Sequence, residues 1–155
     1  KKSFDFLLTK IFREDRIKVI SNRGWMQMGE ELVPENRAGE QPIDVAYTIL
    51  ALGKFYEVFK DENYLKKMRI AFDWFLGKNY LNQIVYNPCT GGCFDGLEDT
   101  HVNLNQGAES TLSYLVARLF VDQYFVKPQP VVPKVAGVKM DYLRKNHHFQ
   151  LRIVQ

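Results

Sequence analysis

Four carboxylates lie between positions 95 and 109: Asp95, Glu98, Asp99 and Glu109. Two carboxyl groups a few ångströms apart across a glycosidic bond can cleave it, one as acid and the other as base or nucleophile. Asp95 and Glu109, or Asp44 from an earlier segment, are the candidates for those roles. Asp95 precedes Gly96, which is also ordinary turn chemistry, so the catalytic reading stands beside a structural one. Gln41-Pro42-Ile43-Asp44 and Gln106-Gly107-Ala108-Glu109 share a Gln-x-x-acid pattern. Capping explains part of it: Asn105 as N-cap, Pro42 near the first helical position, and an acid in the first turn to suit the macrodipole. It does not explain the glutamine, whose amide donates and accepts and can brace a loop or bond sugar hydroxyls. Both readings stay open.

A ligand set follows from the same stretches. Trp25, Tyr86 and Phe94 are placed to stack on sugar faces, and Gln41, Asn103, Asn105 and Gln106 to bond hydroxyls together with Asp95. Cys89, Cys93 and His101 supply only three zinc-type ligands, at a spacing unlike a finger, so no metal or other cofactor is expected. A short disulfide between the two cysteines is geometrically conceivable, but free thiols are expected.

These residues need elements to hold them. Ile43 to Phe59 is apolar almost all round, a helix that must be covered on most sides. Asp61 is a good N-cap for the next segment, where Tyr64, Leu65, Met68, Ala71, Phe72, Phe75 and Leu76 recur at helical spacing opposite Lys66, Lys67 and Arg69. Gly77 is a natural stop. The third segment, 106–125, is again apolar on most sides and ends before Pro128. The expectation is helices over 43–59, 62–77 and 106–125, the first two forming an antiparallel hairpin, with the first and third less exposed than the second.

Internal similarity supports a repeat. Ser3–Leu8 resembles Ala71–Leu76, and Gln41–Asp44 resembles Gln106–Glu109, at offsets of 71 − 3 = 68 and 106 − 41 = 65. Each unit reads as outer helix, long loop, Gln-x-x-acid, inner helix. The loops, Thr9 to Gln41 and Lys78 to Asn105, are unusually long and belong on a binding rim; Ile17–Ile20 and Gln83–Tyr86 look like short strands and Thr90-Gly91-Gly92 like a turn.

The chain has 155 residues, 46% of them hydrophobic and 25% charged, which suits one ordered domain. A net charge of +3 is too small and dispersed to indicate nucleic acid. The longest nearly uncharged run, Ile43 to Leu52, is about half of what spans a bilayer. The start at Lys1-Lys2-Ser3 has no initiator Met and no apolar signal core, so a cytoplasmic fragment is expected, associating with missing hairpins of its parent chain or with itself. Residues 1–127 are expected to form the helical domain and 128–155 a Pro-containing tail.

Gly39–Asp44, Ala71–Asn79, and Thr90–Leu97 through Asn103–Leu112 together resemble the C-terminal region of bacterial proteins classed as glycosyltransferases, in which a six-hairpin-glycosidase-like (α/α) toroid accompanies or follows the transferase domain. The likeness covers about residues 36 to 120. It implies an all-α fold, a section of an (α/α) hairpin toroid with long loops and short β-hairpins on one rim, and a carbohydrate ligand. It carries over no catalytic residue. The alternative is a non-catalytic helical scaffold that docks onto the rest of its parent protein.

Overall fold

The computed structural model describes residues 1–21, 29 and 39–125, and the backbone of strands between 134 and 154. Trp25 lies outside the described residues. The chain divides into two compact units, 1–125 and 126–155.

The first unit is helical. It contains α1 (Lys2–Ile11), a hairpin of β1 (Phe12–Arg13) and β2 (Arg16–Ile17), α2 (Pro42–Phe59), α3 (Glu62–Asp73), a second hairpin of β3 (Gly96–Leu97) and β4 (Val102–Asn103), and α4 (Ala108–Phe125). The connection between α2 and α3 is as short as the sequence suggests. Lys60 takes a left-handed conformation and closes α2 by donating to the Tyr56 carbonyl, and the Asp61 side chain accepts from the Asn63 N–H to start α3.

The regular part of α3 stops at Asp73, four residues before the expected end. The chain continues as a tighter spiral: Trp74, Phe75 and Leu76 donate to carbonyls three residues back. Gly77, at φ 106°, then terminates it in a Schellman arrangement, with Gly77 N–H on the Trp74 carbonyl and Lys78 N–H on the Asp73 carbonyl. The tightening brings Trp74 and Phe75 into the core side by side, both fully buried.

The helices alternate in direction. α1 runs alongside α3: Asp5 accepts from the Tyr64 hydroxyl near their starts, Lys67 lies over the Phe12 ring, and Arg16 donates to the Asn79 carbonyl beyond their ends. α2 and α4 run parallel to each other and opposite to that pair. Gln41 and Ala108 line one cleft at their N-termini, and Tyr124 donates to Glu57 at 2.6 Å near their C-termini. A Cβ on Gly53 would overlap the Phe120 ring, so α2 and α4 approach at a point where only glycine fits. The core runs through Val45, Ile49 and Leu52 of α2, Met68, Ala71 and Phe72 of α3, and Tyr114, Ala117 and Val121 of α4.

One expectation about exposure is corrected. α4 is no drier than α3: Leu112, Leu115, Val116 and Leu119 are 42–66% exposed. Within the unit α4 is flanked by α2 and α3, both on the side of Ser110, Ser113, Tyr114, Ala117 and Val121, so the remaining apolar face stays open. Among the described residues no helix is long and apolar enough to cross a membrane.

The second unit is a three-stranded antiparallel sheet of β5 (Lys134–Val135), β6 (Val138–Lys145) and β7 (His148–Val154), where the prolines suggest only a tail. The register pairs Met140 with Ile153 and Tyr142 with Leu151, and the alternating apolar positions of β6 and β7 are a strand pattern.

Candidate functional site

The N-termini of α2 and α4 open onto a cleft of about 390 Å³. Gln41, Asp95, Asn103 and Glu109 line it, with Glu40, Glu98 and Ser110. Two backbone links build its wall. The Leu97 N–H donates to the Glu40 carbonyl and Gly39 N–H to the Leu97 carbonyl, so the segment before α2 is stitched to the β3–β4 hairpin that leads into α4.

Asp95 fastens the far side. Its Oδ1 accepts from the Gly107 N–H at 2.8 Å and from the Ser110 hydroxyl at 2.7 Å. It therefore caps α4 from twelve residues upstream, the job expected of Asn105. The Asp95 N–H in turn donates to the carbonyls of Asn103 and Asn105. Its role is to position the helix: the carboxylate satisfies groups at the start of α4 and complements its positive end. Asn105 is exposed, and its N–H donates to Asn103 Oδ1.

Glu40 is the residue that the sequence pattern does not single out. It stands 1% exposed, and its carboxyl accepts from Trp74 Nε1 at 2.7 Å. Burial pushes its pKa from the ordinary 4.5 up to about 8; the Trp74 N–H and the Lys18 charge oppose that rise, and Asp44 adds slightly to it. Burial thus favours the protonated form of this carboxyl at neutral pH. Asp44, half-buried in the first turn of α2, is also raised, first by desolvation and then by the neighbouring Glu109. A protonated acid therefore stands among other carboxyls at one end of the helix pair. The signal that could have found Glu40 is the indole at Trp74, a buried N–H that needs an acceptor.

The remaining candidates are placed elsewhere. Gln106 accepts from the Thr90 hydroxyl at 2.6 Å and braces the 87–92 turn, where Gly91 has φ 74° and Asn87 N–H meets the Gly92 carbonyl. Tyr86 stacks on Tyr114 at 4.2 Å with a 14° interplanar angle, so that face is occupied from within. Phe94 is half-buried against the core. A wider depression of about 710 Å³ follows residues 98–104 and shares Glu98 and Asn103 with the cleft.

Cys89 is exposed and Cys93 buried, and both are free thiols; burial first, and Asp95 second, push the Cys93 thiol up to about 12. Among the described residues no three of His, Cys, Asp and Glu converge in a way that could hold a metal ion. No protein-family model matches the chain, and no curated protein matches it.

Proposed function

We propose that this chain is a section of an (α/α) helical-hairpin toroid that handles carbohydrate, with a glycan held in the cleft at the paired N-termini of α2 and α4. The observation that carries this reading is the concentration of side-chain amides and carboxyls in that one cleft, Gln41, Asn103 and Glu109 on the helix pair and its hairpin. Amides and carboxyls accept and donate in the patterns that vicinal sugar hydroxyls require. The alternation of parallel pairs, α1 with α3 and α2 with α4, agrees with a two-layered ring.

Binding of the wild-type chain to an oligosaccharide array, followed by calorimetry on any hit, tests the reading. Asn103→Ala and Glu109→Gln are expected to weaken binding at least tenfold while leaving the melting temperature within a few degrees of wild type. Gln106→Ala, whose amide serves the 87–92 turn, is expected to bind normally. Absence of any glycan binding by a folded wild-type chain overturns the proposal.

A different observation favours a second reading, a helical scaffold that docks onto other protein. It is the open apolar face of α4, where Leu112 is 60% and Leu119 66% exposed. The two readings occupy different surfaces and are not exclusive.

A further inference from the structure

Glu40 is held at two points. Its carboxyl accepts from the Trp74 indole in the core, and its carbonyl accepts from the Leu97 N–H of β3 at 2.9 Å. Gly39 completes the join by donating to the Leu97 carbonyl at 2.8 Å. A Cβ on Gly96 would overlap the Glu40 carbonyl, so the two backbones lie against each other with no side chain between them. Gln41, the next residue, is the N-cap of α2 and lines the cleft, as Gly39, Glu40 and Leu97 do. The Glu40 side chain therefore anchors the strip of backbone that walls the cleft.

The anchor point is fixed. Trp74 is fully buried, packs edge-on against Phe75 at 5.2 Å, and has its carbonyl bonded by the Asn79 amide. Its indole supplies one donor, whereas a buried carboxylate has to be paired with a cation or bonded by several donors. Lys18, on the segment after β2, favours the charged form, and Asp44 on α2 disfavours it. Asp95 and Glu98, on either side of β3, and Glu109 of α4 add further carboxyls to the same cleft, and Glu109 acts in turn on Asp44. With the whole residue 1% exposed and its backbone against Gly96, an ionised Glu40 reaches water by displacing the 39–41 strip.

We infer that Glu40 is a proton-operated latch on the cleft wall: with its proton on, it holds residues 39–41 against β3, and with the proton off, it releases them. The latch regulates the cleft proposed above for a glycan and rests on that reading only for its effect on binding. Closing takes up one proton from water and opening returns it.

Native-state amide hydrogen exchange on the wild-type chain, at a series of pH values and low urea concentrations, tests the latch without any ligand. A strip that gives up the Glu40 proton on opening becomes easier to open by about tenfold per pH unit, from about pH 5 to about 8, and no easier beyond. The Gly39 and Leu97 amides are expected to lose protection at that rate once intrinsic exchange is allowed for. Because the opening is local, their exchange is expected to be insensitive to urea, while that of the buried Ile49 and Met68 quickens as urea rises. In Glu40→Gln, which keeps an acceptor and cannot ionise, protection of the strip is expected to be independent of pH. Wild-type protection of Gly39 and Leu97 that is flat with pH overturns the inference. A urea dependence equal to that of the core overturns it too, since the strip would then leave only on global unfolding. If Glu40→Gln does not fold, these two wild-type measurements decide alone. A chain that meets both expectations and binds no glycan at pH 6 keeps the latch and loses the glycan reading. One that binds glycan equally at pH 6 and pH 9, with flat protection, keeps the glycan reading and loses the latch.

Discussion

Glu40 is a carboxyl almost sealed from water with an indole N–H as its hydrogen-bond donor. Its consequence for stability has a definite sign. Unfolded, the group titrates near the ordinary 4.5, and folded near about 8. Between those values the folded chain holds a proton that the unfolded chain releases, so raising the pH favours unfolding. The stability tied to this proton is complete below about pH 4.5, falls through the window, and is gone above about pH 8, a loss on the order of 3–5 kcal/mol. Asp44, raised in the same direction, adds to the lower part of that fall. Denaturant unfolding at a series of pH values is expected to show the decline in wild type and a much flatter profile in Glu40→Gln, which keeps an acceptor for Trp74. A wild-type profile that rises from pH 5 to 8 would contradict this account of Glu40. The indole at Trp74 signals that some acceptor is needed, but sequence does not say which one, because Glu40 stands thirty-four positions away. For the same reason Asp95 reads as turn chemistry in the sequence, while in the fold it caps α4 across twelve residues.

Among the elements, the α2–α3 hairpin was legible almost to the residue, since Asp61, Gly77 and the apolar spacing of α3 are local signals. The early end of α3 was not, because Trp74 and Phe75 tighten the spiral to reach a core built by α2 and α4. The notch between α2 and α4 was equally hidden; Gly53 looks in sequence like a weak point in a helix, yet it receives Phe120. Gly53→Ala should raise intrinsic helix propensity by about 1 kcal/mol. It is nevertheless expected to destabilise the chain by about 1–3 kcal/mol, because the added methyl overlaps the ring and must push α4 away. Thermal unfolding of the variant decides between the two effects, and a higher melting temperature would show that the helices do not meet there. A Gly53→Ala variant combined with Phe120→Leu is expected to recover part of the loss. The C-terminal sheet was not read from the sequence, because the prolines before it suggest a tether and draw attention away from the alternation of β6 and β7.

At the scale of the helical unit, the four described helices run alternately and bring two Gln-x-x-acid segments to one end, where a polar cleft opens. Of the repeated pattern, Gln41 and Glu109 line that cleft, whereas Asp44 lines a depression between α1 and α2 instead. The repeat could not foresee that the second glutamine turns to Thr90, because the decision lies with a hydroxyl in a neighbouring turn. The proposed glycan site is therefore smaller than the sequence suggested and centred on Asn103, Glu109 and Gln41. The measurement that tests it most directly is an amide NMR titration of the folded chain with an oligosaccharide found on the array. The account expects shifts confined to residues 39–41, 95–97, 103 and 107–110, with the amides of the 87–92 turn unmoved. Shifts that centre on the 87–92 turn, on the open face of α4, or nowhere in the chain at saturating ligand would contradict it.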